Sequence, residues 1–328
     1  MLPPSYRRPF FEPIKRFLIN FVCVFVPSKK YRRLIREHFL IYRLRLHFGH
    51  PPLPVKKRLQ PINLAFGFDG GYARQTGVAI VSLLVNSKNR CAYNMYCVVD
   101  NSVTPEMRAS LSGLVKALDQ DSSLTFLEAN RDFDQSLRGS WSLGAYYRLM
   151  LPVLLPGLDE IIYADGDIIF CRDLLGLADL DLGENLIAGV QDRPGGYICS
   201  GFMVLNLARL RREKTYEAWL EASQREQYDN PDQDILNDTC RGRILYLPEK
   251  YNFCNRGYYA HYRMGLIHPS DRHDLEYNTV VLHYIDGPKP WRATKFYYTK
   301  KFYYLHDLWW EYARLTPFYE GLLAELKS

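Results

Sequence analysis

The chain has no C-x-x-C pair, no fixed-period repeat, no low-complexity tract and no unbroken run of about 20 apolar residues. Its seven cysteines (23, 91, 97, 171, 199, 240 and 254) are scattered and odd in number. That pattern excludes a zinc ribbon or a thioredoxin-type redox pair. It points instead to a reducing compartment in which thiols pack as small hydrophobes. The one Asn-x-Ser/Thr match, Asn237-Asp238-Thr239, falls in a stretch that reads helical, which counts against a glycosylation acceptor. Without a repeat the chain is no solenoid, and without long apolar runs it is no polytopic membrane protein.

What is present is 328 residues, 47% hydrophobic and 24% charged. That is enough for one large domain or two ordinary ones around a sizeable core, and too apolar for wholesale disorder. The formal charge of +6 hides a split: residues 1–60 carry 14 Lys+Arg against Glu12 and Glu37, a net +12, whereas the rest carries 28 basic and 34 acidic residues, a net −6. The basic head contains the apolar run Phe17-Leu18-Ile19-Asn20-Phe21-Val22-Cys23-Val24-Phe25-Val26, about half of what spans a bilayer as a helix. No small-residue cleavage site follows it. Pro27-Ser28-Lys29-Lys30 does, then Arg32, Arg33 and Arg36, cations that oppose translocation and count against a secretory signal. The pattern continues as a helix over 31–48. Apolar anchoring plus strong positive charge suits an anionic membrane surface; a solvated charged face and a nucleic-acid patch are the rival readings, and no nucleic-acid partner is expected. Pro51-Pro52-Leu53-Pro54 ends the head as a stiff linker.

From residue 62 strand-like and helix-like segments alternate, which predicts a mixed, mostly parallel sheet flanked by helices. Strands are expected at 62–68, 93–99, 124–127, 160–164, 186–190, 202–205, 244–247 and 279–283. Helices are expected at 76–85, from Thr104-Pro105-Glu106 toward Leu118, at 142–155, at 207–224 and around 234–238. In such sheets ligands bind beyond the carboxyl ends of the strands. Asp69 follows the first strand, and Asp165-Gly166-Asp167 follows Glu160–Ala164. Carboxylates two apart at a strand end can converge on one hard divalent cation, although such triplets also occur in ordinary turns. His283 stands at another strand end, followed by Tyr284-Ile285-Asp286-Gly287-Pro288-Lys289-Pro290-Trp291. Imidazole can complete a carboxylate site, Gly287 permits close approach to a phosphate, and Lys289 supplies it a point charge. Asp232-Gln233-Asp234 opens a helix, where acids offset the dipole or, equally, orient sugar hydroxyls.

In this order the pieces resemble the retaining glycosyltransferases of family eight, which include bacterial lipopolysaccharide galactosyl- and glucosyltransferases and glycogenin. The resemblance runs over roughly 62–292. It is carried by Ala65-Phe66-Gly67-Phe68-Asp69 with Tyr72, Tyr147-Arg148-Leu149, Tyr163-Ala164-Asp165-Gly166-Asp167, Ser200-Gly201 leading to Leu205-Asn206-Leu207, Asp232–Asn237 and His283–Trp291. It implies an α/β GT-A (Rossmann-like) fold and a UDP-sugar donor held with Mn²⁺ or Mg²⁺. The implied metal ligands are Asp165, Asp167 and His283. Asp69 and Tyr72 would face the uridine, with Gly166 in the donor site; Gly287 and Lys289 would face the diphosphate. Arg148 would meet the donor phosphate or sugar, and Asp232, Gln233 and Asp234 the transferred hexose.

Three features depart from the family pattern: Cys199 stands where relatives commonly have Asn, the glycine of the His283 motif comes one place late with Asp286 before it, and the 192–199 stretch is short. Asp192 matches an acceptor-contacting position. The expected organisation is a membrane-associating extension (1–60), a GT-A catalytic domain (61–294) and an aromatic-rich C-terminal helical segment (295–328), whose rings suit a membrane interface, a sugar-stacking surface or simple docking on the body. The expected activity is transfer of glucose or galactose to a lipid-linked lipopolysaccharide or other cell-surface glycan, at the cytoplasmic face of the bacterial inner membrane. A soluble, glycogenin-like or protein acceptor and a non-catalytic nucleotide-sugar-binding scaffold are the alternatives.

Overall fold

A computed structural model of the protein describes residues 12–28, 31–32, 35, 58–136, 143–225, 228–254, 275, 278–285, 289–292 and 303–327. Seven strands form the main sheet: β1 (Ile62–Gly67), β2 (Tyr93–Val99), β3 (Ser123–Glu128), β4 (Glu160–Ala164), β6 (Ile187–Arg193), β7 (Tyr197–Asn206) and β8 (Ile244–Leu247), in the order β3-β2-β1-β4-β7-β6-β8. A second sheet orders β5 (Ile168–Phe170), β10 (Val281–His283) and β9 (Phe253–Cys254) as β5-β10-β9. The main sheet is parallel from β3 through β4 and between β6 and β8, while β7 runs antiparallel to both of its neighbours. The mixed α/β architecture is the one the alternation predicted.

Strands covered on both faces read as continuous apolar runs, and β1 shows why. Its alternate residues Leu64 and Phe66 enter one core while Ala65 enters the other. The first core packs β1 and β2 against α2 (Ala73–Asn86) and α3 (Pro105–Leu118), with α2 buried along most of its length. Thr104 caps α3 as expected, its hydroxyl accepting from Met107 N, with Pro105 in the first turn. The second core gathers Tyr147, Tyr163, Met203, Trp219 and Ile235.

Four local expectations are refined. The 142–155 segment is a 3₁₀ helix over Leu143–Met150 that passes into a single α-turn, α4 (Leu151–Leu154), at Pro152, a residue with no N–H for a continuous α ladder. The 207–224 segment breaks at Lys214, whose φ is +53°, into α5 (Leu207–Arg212) and α6 (Thr215–Arg225). The 192–199 stretch, read as a short loop, is the tip of the β6–β7 hairpin. Gly195 and Gly196 turn it with φ of +89° and +85°, values open to glycine. The 234–238 helix extends to α7 (Pro231–Thr239), so the Asn237 acceptor motif is helical and Asn237 is buried. All seven cysteines are free and buried, as small hydrophobes should be.

At the C-terminus α8 (Tyr303–Ala313) and α9 (Tyr319–Lys327) belong to the first core. Trp309 is fully buried, 5.0 Å from the Trp291 ring, and a Cβ on Gly77 of α2 would lie 2.7 Å from Phe318. The aromatic-lysine run at 295–302 lies outside the described residues. At the other end α1 (Glu12–Val24) presents Phe17, Leu18, Phe21, Val22 and Val24 to solvent, with Phe25 just beyond. Among the described residues no helix is long and apolar enough to cross a membrane.

Candidate active site

The short strands build the site by register. Leaving β4, the chain turns through Asp165-Gly166-Asp167 into β5, and β5 pairs antiparallel with β10 so that Ile168 faces His283. Tyr284 N donates to Asp167 O at 3.0 Å, and Asp165 N donates to Gly201 O of β7 at 2.8 Å. One ligand atom from each of Asp165, Asp167 and His283 therefore lies within 4.8 Å of the others. Two glycines make room. A Cβ on Gly201 would lie 2.1 Å from His283 Cε1 and 2.7 Å from Asp165 Oδ2, and one on Gly166 would lie 2.3 Å from Thr76 Oγ1 in α2.

Two half-sites meet at this turn. In the first, Asp167 sits between cations: His283 Nε2 at 3.1 Å from Oδ1 and Lys289 Nζ at 2.6 Å from Oδ2. Burial would raise the Asp167 carboxyl, but the charges of Lys289 and His283 hold it well below the usual carboxylate range. Burial would likewise lower His283 and Lys289. The charge of Asp167 outweighs it, raising Lys289 and taking His283 to about 10. In the second half Arg148, also buried, reaches Asp165 at 2.6 Å, Asp232 at 3.1 Å and Ser200 Oγ at 2.7 Å, with its guanidinium 4.8 Å from the Tyr163 ring centroid. The hydroxyl of Tyr163 donates to Asp165 at 2.8 Å. Burial raises the Asp165 carboxyl against the pull of Arg148, and the nearby charge of Asp167 raises it further. The two aspartates of one turn are thus pushed in opposite directions.

The expected sugar-side residues are bound to this second half. Ser200 Oγ donates to Asp232 at 2.8 Å, and Ser200 N donates to Gln233 Oε1 at 2.9 Å. Asp234, expected beside them, turns to its own helix start: it accepts from Asn230 N at 2.9 Å and from the hydroxyl of Tyr197. Asn237 clasps the Ile198 main chain at both N and O, which fixes α7 against β7. Asp69 accepts from Gly71 N at 2.9 Å, and the Tyr72 ring stands edge-on to Trp291 at 6.0 Å. Burial and then the charge of Asp167 raise the Tyr72 hydroxyl. Gly287 and Asp286 lie outside the described residues. Cys199 places its sulfur 3.8 Å from His283 Nδ1. Asp192 is buried on β6, Oδ2 3.5 Å from Arg193 Nε and Oδ1 without a hydrogen bond among the described residues.

Sequence reasoning gave no role to Ser200, Tyr163, Tyr197 or Gly201. Ser200, Gly201 and Tyr163 did carry a signal, as members of the motifs that resemble the family; Tyr197 carried none.

A mostly parallel sheet whose strand-end acids meet a histidine from a distant strand and a lysine beyond it defines a class: a GT-A glycosyltransferase. The chain belongs to glycosyl transferase family 8, whose family model matches residues 63–295. It is 27% identical over 265 residues to a lipopolysaccharide 1,2-glucosyltransferase of Escherichia coli (strain K12), covering 74% of this chain and 76% of that protein. A lipopolysaccharide 1,3-galactosyltransferase of Salmonella typhimurium is 24% identical over 257 residues, covering 70% and 73%. Among solved structures, the galactosyltransferase LgtC in complex with donor and acceptor sugar analogs superimposes with a TM-score of 0.64 at 22% identity, covering 80% of this chain and 100% of that one.

Proposed function

We propose that the protein transfers a hexose, glucose or galactose, from a UDP-sugar to a lipopolysaccharide or other cell-surface glycan with retention of anomeric configuration, using Mn²⁺ or Mg²⁺. The observation that carries this is the convergence of Asp165, Asp167 and His283 within 4.8 Å. The donor set fits a divalent cation that accepts oxygen and imidazole ligands, and the missing side chain of Gly201 lets His283 and Asp165 approach each other over β7. When bound, the cation neutralises charge that develops on the donor's diphosphate.

The chain's own groups supply the rest. When the anomeric C–O bond breaks, its electron pair leaves with UDP, and Lys289 provides positive charge beside that oxygen. Asp69 and Tyr72 border the nucleoside end. The sugar, oxocarbenium-like in the transition state, gains from the dipole of Gln233 and the carboxylate of Asp232, both preorganised through Ser200. Arg148 holds Asp165 and Asp232 at fixed positions through its ion pairs. The acceptor hydroxyl forms the new C–O bond and gives its proton, in net terms, to the departing diphosphate. The lipopolysaccharide acceptor rests on the activities of the relatives. The proposed organisation is a membrane-associating extension (1–60), a GT-A catalytic domain (61–294) and a C-terminal segment (295–328) whose α8 and α9 pack on the catalytic body.

The exposed apolar face of α1, within a head of net +12, supports attachment to an anionic leaflet such as the cytoplasmic face of a bacterial inner membrane. The test uses the full chain with UDP-glucose and UDP-galactose, reading released UDP with Mn²⁺, with Mg²⁺ and with chelator. Metal-dependent release from one of them is expected, and none from any UDP-hexose with either ion overturns the enzyme reading. Co-sedimentation with anionic vesicles, weakened by Phe21→Glu, checks the attachment.

A further inference from the structure

His283 has two ring nitrogens and only one faces the carboxylates. Nε2 is 3.1 Å from Asp167 Oδ1 and 3.9 Å from Asp165 Oδ2. An ion held by both aspartates therefore meets His283 at Nε2, and Nε2 must then offer a lone pair. The ring's remaining proton has to sit on Nδ1, which needs an acceptor at that buried edge. Two atoms are in reach. The sulfur of Cys199 is 3.8 Å away, a long and weak contact; the Oδ1 of Asn252 is 3.0 Å away. Asn252 is 1% exposed. It immediately precedes β9, which pairs parallel with β10 so that Cys254 faces His283, and its backbone N–H is tied to Glu249 O at 3.1 Å. The side chain is therefore delivered by register. Its Nδ2 has no hydrogen-bond partner among the described residues. The carboxamide is thus held by its oxygen, and a buried amide is costly unless that one bond matters.

We infer that Asn252 is a positioning residue for the metal site: by accepting from Nδ1–H it fixes the His283 tautomer and ring plane that direct the Nε2 lone pair at an ion shared with Asp165 and Asp167. The inference rests on the metal-site reading above. Asn252 touches neither ion nor substrate, and its effect passes entirely through His283.

The test measures Mn²⁺ affinity by calorimetry on the full chain, without donor, for the parent protein, Asp167→Asn, Asn252→Leu and Asn252→Asp. Leu keeps the shape of Asn and removes the acceptor; Asp keeps an acceptor and adds charge. Loss of such a partner typically weakens binding about 10–100-fold. The expected result is a weakening of that order in Asn252→Leu and affinity at or above the parent's in Asn252→Asp. A merely structural role predicts equal damage from both, and that result overturns the inference, as does parent-like affinity in Asn252→Leu. If the parent itself binds no Mn²⁺, or Asp167→Asn binds as well as the parent, the metal-site reading has failed and the inference falls with it. Should Asn252→Leu not fold, the histidine ¹⁵N–¹H spectrum of the Mg²⁺-loaded parent decides: the His283 proton on Nδ1 supports the inference, and on Nε2 overturns it.

Discussion

The two halves of the site hold their aspartates by different means. Around Asp165 and Asp232 the partner is a single buried arginine whose charge is permanent and whose fork is fixed by Ser200 and stacked beside Tyr163. Around Asp167 the partners are a histidine, which can shed its proton, and a lysine on a flexible stem. The first half is an invariant part of the fold. The second is a pair of exchangeable cations, as the proposed metal and diphosphate site would need. The contrast can be broken at either side.

Arg148→Ala should have the largest effect. It strands Asp165 and Asp232 without their shared cation, and removing one partner of a buried ion pair costs about 3–5 kcal/mol. Denaturant unfolding should show a loss of that size. A Lys replacement should recover only part of it, because an ammonium cannot fork between two carboxylates and a serine. An Arg148→Ala protein with parental stability would mean that the half is not fixed as described.

Next in size, Gly201→Ala strikes the seam between the halves. The added methyl would lie 2.1 Å from His283 and 2.7 Å from Asp165, so the ring has to move by about an ångström, a displacement that can cost about 100-fold in rate. Transfer and Mn²⁺ affinity should both fall while unfolding changes far less than in Arg148→Ala. Equal damage to stability would show that Gly201 serves the strand rather than the site.

The legible and illegible parts of the molecule divide along similar physical lines. Asp165, Asp167 and His283 could be read from sequence because ionisable residues at the ends of apolar strands have few structural reasons to be there, and Lys289 because it follows His283 at a fixed distance within the same run. The parallel strands β1 to β4 were legible from their apolar runs. Of the small sheet only β10 was expected, within the 279–283 strand; β5 has three residues and β9 two, too few for any periodicity. Asn252, Tyr197 and Ser200 act through partners 31, 37 and 32 residues away in sequence, a distance that only the fold closes. The C-terminal rings were ambiguous because an interfacial belt and a packed core use the same residues. Trp309 resolves in favour of the core.

The pH response separates the halves next. His283 is raised to about 10 from an unfolded value near 6.5. In the metal-free protein its contribution to stability is therefore complete below pH 6.5 and is lost as pH rises toward 10. Asp167 is lowered, so its contribution is present above the ordinary Asp range and is lost as pH falls below it. Thermal unfolding of the metal-free chain should weaken from pH 7 to 10, and saturating Mn²⁺ should remove that slope because the ion takes the proton's place. The Arg148 guanidinium itself, permanently charged, contributes no slope over this range. If His283→Gln keeps the parental slope, the assignment to His283 is wrong.

The smallest expected effect tests how the exchangeable half is kept in place. Trp310 on α8 donates through Nε1 to Pro290 O at 3.0 Å, next in sequence to Lys289, while the Trp291 ring lies between Tyr72 and Trp309. The C-terminal helices therefore brace the segment that carries the lysine, which a flexible side chain alone would not fix. Trp310→Phe keeps a ring and removes one donor, a bond worth about 1 kcal/mol. The donor KM should rise by about fivefold, with kcat and vesicle binding close to parental. A change in vesicle binding with KM untouched would assign Trp310 to a membrane surface instead, and the brace would then rest on Trp309 and Trp291 alone.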